Sequence, residues 1–168
     1  MDRQIVIIGA GIIGLSTAYY LAKNHKIRDI VIIDRNNPMS LTSAASGENY
    51  RNWWPQIEMF ALINRSIDLM EDIARATKNR INMNRRGYVL STRQTNIDAL
   101  IGELNNGMDS SDGKLLRYHN NFTSSHYIES LTQNWETAPS GVDILQNRQL
   151  IQNVFPSYAK DVHSIIHI

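Results

Sequence analysis

Three glycines, Gly9, Gly11 and Gly14, fall within six positions of the otherwise largely apolar stretch IVIIGAGIIGLSTAYYLA, Ile5 to Ala22. Glycine weakens a helix or strand by roughly 0.5–1 kcal/mol relative to alanine, so each of the three needs a local reason. Gln4 to Ile8 is a β-branched run of the kind buried on both faces of a parallel sheet. Ile12 to Lys23 follows as a helix, with Ala18, Leu21 and Ala22 returning on one side. Ile30 to Ile33 is a second buried run, ended by Asp34. Strand, turn, helix and strand in this order make a βαβ unit and predict an α/β fold.

The glycines fit G-x-G-x-x-G at the junction of strand and helix. In that setting the first glycine permits the tight turn, the second lets a diphosphate approach the backbone, and the third lets helix and strand pack closely. Amide N–H groups at the helix start and the positive end of its dipole then hold the phosphates, with Ile12 and Ile13 supplying backbone there. Asp34 lies twenty residues after Gly14 at the end of the second strand, where a carboxylate accepts hydrogen bonds from the ribose hydroxyls of an adenosine. A plainer reading also stands: a glycine turn that only packs a helix, with Asp34 capping Asn36 or Asn37. An acid at this position disfavours a 2′-phosphate, which leaves FAD and NAD as the dinucleotides to separate.

Asn36 to Gly47 is a loop by composition, and Pro55 opens a long amphipathic helix marked by Ile57, Phe60, Ala61, Ile67, Met70, Ile73 and Ala74. Gly87 to Thr92 is expected as a strand, Asn96 to Leu104 as a helix, and Lys114 to Tyr118 as a further strand. Asn120 to Ser140 carries only a weak polar pattern; Arg148 to Val154 is a short helix stopped by Pro156, and Val162 to Ile168 alternates like a strand.

Seventeen basic against sixteen acidic side chains, with no run of one sign, give no nucleic-acid footprint. The absence of cysteine excludes disulfides, cysteine-ligated metals and thiolate catalysis. The apolar N-terminal stretch is shorter than the ~20 residues of a membrane span, and glycines interrupt it. No membrane span and a cytoplasmic location are therefore expected, with the sequons at Asn64 and Asn121 as chance matches. His163 and His167 would share one face of a strand, but with no nearby carboxylate beyond Asp161 they make a poor metal site, and none is expected. Glu103, Asp109, Asp112 and Glu129 show no paired geometry.

The sequence resembles the FAD-dependent oxidoreductases of the D-amino-acid oxidase, glycine oxidase and sarcosine oxidase superfamily. The resemblance rests on VIIGAGIIGLSTAYYLA, VIIDR, the loop TSAASGENYR, RRGYVLST after a long helix, and ILQNRQLIQNVFPSY. It implies the start of a Rossmann-type FAD-binding domain, then a long helix and part of an α+β substrate domain, divided as residues 1–80 and 81–168. By position it implies that Asp34 binds the adenosine ribose, that Arg35 neighbours the adenine, and that Ser43, Ala44, Ser46 and Gly47 lie against the diphosphate or ring. A turn-rich loop capping the next helix is the alternative for each of these four. Arg51, the cation nearest this loop, is the catalytic candidate: it stabilises charge on reduced flavin or holds a substrate carboxylate, or it makes only a surface contact. Trp53 and Trp54 either wall the cavity or pack in the core. With no cysteine, and no histidine from Thr42 to Tyr50, the FAD would be noncovalent.

Two parallel strands are too few for a complete dinucleotide fold, so with this resemblance the chain is expected to be the N-terminal part or a truncated relative of a flavoenzyme, which the resemblance implies oxidises a small amine or amino acid. An NAD-dependent Rossmann dehydrogenase and a noncatalytic subunit that associates with itself or a partner are the other two readings.

Overall fold

The computed structural model describes residues 4–107, 115–120, 127–130 and 135–168. Asp109, Asp112 and the Asn121 sequon lie outside the described residues, as does Lys114 at the start of its expected strand. The chain forms two compact units that divide between Asn49 and Tyr50.

The first unit is the βαβ element. Strand β1 (Ile5–Ile8) feeds helix α1 (Ile12–His25), which returns to β2 (Ile30–Ile33), and the strands pair in parallel from Ile5 opposite Ile30 to Ile8 opposite Ile33. Lys23 places positive charge in the last turn of α1, and Lys26 closes it in the left-handed conformation at φ 60°. Both strands spell IVII, yet they are not buried on both faces. Ile5, Ile7, Ile30 and Ile32 are half-buried, whereas Val6, Ile8, Val31 and Ile33 are exposed. The reason is geometric: alternate side chains point to opposite faces, and two strands with one helix cover only one of them.

The second unit begins with α2 (Ile57–Ala76) and continues through β3 (Val89–Thr92), α3 (Asp98–Gly107), β4 (Leu116–His119), a 3₁₀ turn at Trp135–Thr137, β5 (Val142–Leu145), α4 (Arg148–Val154) and β6 (Ser164–His167). Four strands form a mixed sheet in the order β3-β6-β5-β4, with β4 and β5 parallel and β6 antiparallel to both its neighbours. Leu116, Val142, Ile144 and Ile166 share one face and pack with Ile97 and Leu104 on the α3 side. Leu145 and Ile165 point the other way, onto Ile151 of α4. A satellite cluster of Ile67, Ala74, Met83 and Trp135 anchors α2. The architecture is mixed α/β with a βαβ start.

Strand β5 is absent from the sequence reading because it is four residues long and carries an acid at its second position. Asp143 is nonetheless buried. Arg117 spans it with Nε to Oδ1 at 2.7 Å and Nη2 to Oδ2 at 2.8 Å, and Nε2 of the fully buried His119 lies 2.7 Å from Oδ1. Burial pushes the Asp143 carboxyl up, but hydrogen bonds from Arg117 and His119 outweigh it and hold the group below the usual carboxylate range. The charge is therefore kept, and the strand forms around it.

Candidate cofactor-binding site

Each glycine of the β1–α1 bend has a separate physical cause. Gly9 sits at φ +110°, a conformation that side-chain-bearing residues rarely adopt. A Cβ on Gly14 would lie 1.9 Å from the Gly9 carbonyl oxygen, so only glycine lets the helix approach the strand this closely. Around a Cβ on Gly11 no backbone of the described residues beyond its chain neighbours comes within 4 Å. The one group an added Cβ would meet within 4 Å there is the hydroxyl of Ser43, at 3.3 Å.

The loop after β2 is fastened to this bend by three hydrogen bonds. Ala10 N–H donates to Asp34 Oδ2 at 2.8 Å, Met39 N–H donates to the Ala10 carbonyl at 2.9 Å, and Ile12 N–H donates to Ser43 Oγ at 3.0 Å. Ala10, with both backbone groups committed, is the one buried residue among those described in the first unit. Asp34 Oδ1 also accepts from Asn36 N–H at 2.8 Å, so the carboxylate caps its own turn and reaches the bend at once. The Ala10 amide first, and the Asn36 amide after it, hold the Asp34 carboxyl below the usual range. It is an exposed, ionised acceptor beside the first turn of a helix.

These features suit the adenosine diphosphate part of a dinucleotide. The approach over Gly11, met by the Ser43 hydroxyl alone, and the N–H groups of a helix first turn match a diphosphate. A carboxylate keeps lone pairs for ribose hydroxyls beyond its two backbone bonds. The structure thus brings Gly9, Gly11, Ile12, Ile13, Gly14, Asp34 and Ser43 together. Arg35 is exposed next to Asp34. Ala44 donates its N–H to the Leu41 carbonyl, Ser46 Oγ accepts from Glu48 N–H, and Gly47 neighbours Asn49, so these three make their described contacts within their own loop.

In the second unit Arg51 stacks its guanidinium 4.5 Å from the Trp54 ring and 5.5 Å from the Tyr88 ring. Its Nε, with Asn52 Oδ1 and Trp53 Nε1, is buried with no hydrogen-bond partner among the described residues. Trp53 packs against the α3-side core, and the Trp54 carbonyl lies where a Cβ on Gly107 would fall. His167 is held by the Tyr127 hydroxyl at Nδ1 and the Arg86 carbonyl at Nε2, each at 2.7 Å, and His163 Nε2 faces Arg148. Both histidines are thus explained by protein partners. The roles of Met39 and Ala10 were not legible in the sequence, because they act through backbone groups that every residue type carries.

Comparison with known proteins gives a family and two partial relatives. The family described as FAD dependent oxidoreductase matches residues 4–119, more than half of the chain. L-saccharopine oxidase of Schizosaccharomyces pombe is 51% identical over 49 residues, 29% of this chain and 11% of the relative. The uncharacterized oxidoreductase YurR of Bacillus subtilis is 47% identical over 45 residues, 27% of this chain and 12% of that protein. Each match thus spans about an eighth or less of the relative's length.

Proposed function

The chain belongs to the FAD dependent oxidoreductase family, and on that premise we propose that its first unit holds the adenosine diphosphate part of a noncovalent FAD. Gly9, Gly11 and Gly14 shape the bend, the Ile12 and Ile13 amides face the diphosphate, and Asp34 takes the ribose. Arg35 lies by the adenine, and Ser43, Ala44, Ser46 and Gly47 line the path toward the ring. Bound flavin supplies a hydride acceptor for a C–H beside an amine. The substrate class is a small amine or amino acid, a reading supported by the match to L-saccharopine oxidase over 49 residues. Arg51 is the group to meet a substrate carboxylate or the negative charge of reduced flavin, supported by its buried, unpartnered Nε.

The observation that carries this reading is the Asp34 carboxylate bonded to the Ala10 amide at 2.8 Å, at the side of a bend where a Cβ on Gly11 would meet only the Ser43 hydroxyl within 4 Å. The same reading takes the chain as the N-terminal portion of such an enzyme, with the exposed face of Val6, Ile8, Val31 and Ile33 covered by further sheet and helix or by a partner subunit. Purified chain should be yellow and release flavin on denaturation. A colourless chain that enhances NADH fluorescence would favour a nicotinamide enzyme, and one that binds neither would favour a noncatalytic protein.

A further inference from the structure

The approach over Gly11 is held in this structure by a side chain of the protein itself. Ser43 Oγ accepts the Ile12 amide at 3.0 Å and lies 3.3 Å from the position of a Cβ on Gly11. That is the place the glycine fingerprint reserves for a diphosphate oxygen. Ser43 arrives there on a tight turn in which the Leu41 carbonyl accepts from Ala44 N–H at 3.0 Å and Ala45 N–H at 3.1 Å. No side chain of α1 or of its N-cap residue Gly11 caps the helix, so the hydroxyl acts as a cap from a distant segment, 31 residues away.

We propose that Ser43 is a seat-holder for the cofactor: its hydroxyl occupies the Ile12 amide until a diphosphate oxygen replaces it, and the 40–47 loop is released from that tether when the cofactor enters. The proposal rests on the dinucleotide reading above. A phosphate oxygen carries full negative charge and accepts an amide N–H more strongly than a hydroxyl does, so the exchange runs toward bound cofactor. Met39 N–H on the Ala10 carbonyl keeps the start of the loop in place while Ser43 leaves. The seat-holder therefore lowers affinity for the diphosphate in return for an ordered bend before binding.

The test is titration of the 168-residue chain with ADP by calorimetry for wild type, Ser43→Ala and Ser43→Thr, with hydrogen exchange at the Ile12 amide measured on the same samples without nucleotide. Removing a competing hydrogen bond is worth about 3- to 10-fold, so Ser43→Ala should bind ADP tighter by that factor while its Ile12 amide exchanges faster. Ser43→Thr, which keeps the hydroxyl, should match wild type within about twofold on both readouts. Weaker ADP binding by Ser43→Ala would overturn the proposal and make Ser43 a standing phosphate ligand. Unchanged binding would overturn it as well, and leave the dinucleotide reading intact. Failure of every variant, wild type included, to bind ADP or FAD would overturn the dinucleotide reading itself, and the seat-holder with it.

Discussion

Asp34 and the three glycines show how residue types become forced. The ladder bond from Gly9 N–H to the Ile33 carbonyl, 2.8 Å, brings the bend against the end of β2, where the next side chain must accept the Ala10 amide. Only a short acceptor reaches, and only a carboxylate also keeps lone pairs for a ribose. Asp34→Asn should weaken ADP or FAD binding by roughly tenfold or more, since hydrogen bonds to charged groups are worth about 1.5–3 kcal/mol. Because the amides of Ala10 and Asn36 hold the folded Asp34 carboxyl below its ordinary value, it stays ionised as pH falls to about 4. Asp34's contribution to affinity should accordingly stay constant from pH 8 to 5 and fall only below that, which titrations across pH would check. Gly11 and Gly14 should part company. Gly14→Ala drives a methyl into the Gly9 carbonyl and should destabilise the first unit by about 1–3 kcal/mol in thermal melts. Gly11→Ala meets only the Ser43 hydroxyl and should leave the melt nearly unchanged while weakening ADP binding. At this scale the bend was legible because its backbone geometry dictates glycine at Gly9 and Gly14 and its closure on β2 dictates a short acceptor at Asp34. The Ser43 tether was not, since nothing in TSAAS marks which hydroxyl turns back to the helix.

Elements were legible where their pattern was long or their stop signals clear. The short helix at Arg148–Val154 has the second: Pro156 follows it, and Asn147 caps its start by accepting the Gln149 and Leu150 amides at 3.0 Å each. Asn147→Ala should cost about 1 kcal/mol in denaturant unfolding. Strand β5 had neither, because Asp143 breaks its apolar run. Its formation depends on Arg117 and His119 arriving from the parallel neighbour β4, a pairing no local window contains. Asp143→Ala would remove the carboxylate that Arg117 and the fully buried His119 both contact, and should lower the stability of the second unit by about 3–5 kcal/mol. The same pair sets a pH dependence. Folding depresses the Asp143 carboxyl, so its stabilisation is complete above the unfolded value of about 4 and is lost as pH drops through the lower folded value. Urea midpoints from pH 7 to 3 should fall at the acid end in wild type, and less steeply in Asp143→Asn.

For the whole molecule the decisive feature is the bare side of the β1–β2 sheet. Val6 is 51% exposed, Ile8 89%, Val31 39% and Ile33 51%, with no charge among them. Parallel sheets normally carry cover on both faces, and a contiguous apolar patch of this kind marks a contact surface. The sequence announced strands apolar on both sides but could not show which side α1 covers. The isolated chain should associate as its concentration rises. An Ile8→Lys, Ile33→Lys double variant should reduce that association in sedimentation velocity without altering the Ala10 to Asp34 bond, and an equally associated variant would contradict the role given to this face.

The central claim is that the Gly9–Gly14 bend and Asp34 receive the adenosine diphosphate half of FAD. Amide spectra of the isotope-labelled chain titrated with FAD, ADP and FMN test it most directly, because FMN has the flavin without the adenosine. Saturable shifts at Gly11, Ile12, Ile13 and Asp34 with FAD and ADP, and none there with FMN, are the predicted result. Unchanged amides at those four residues with all three ligands would contradict the account.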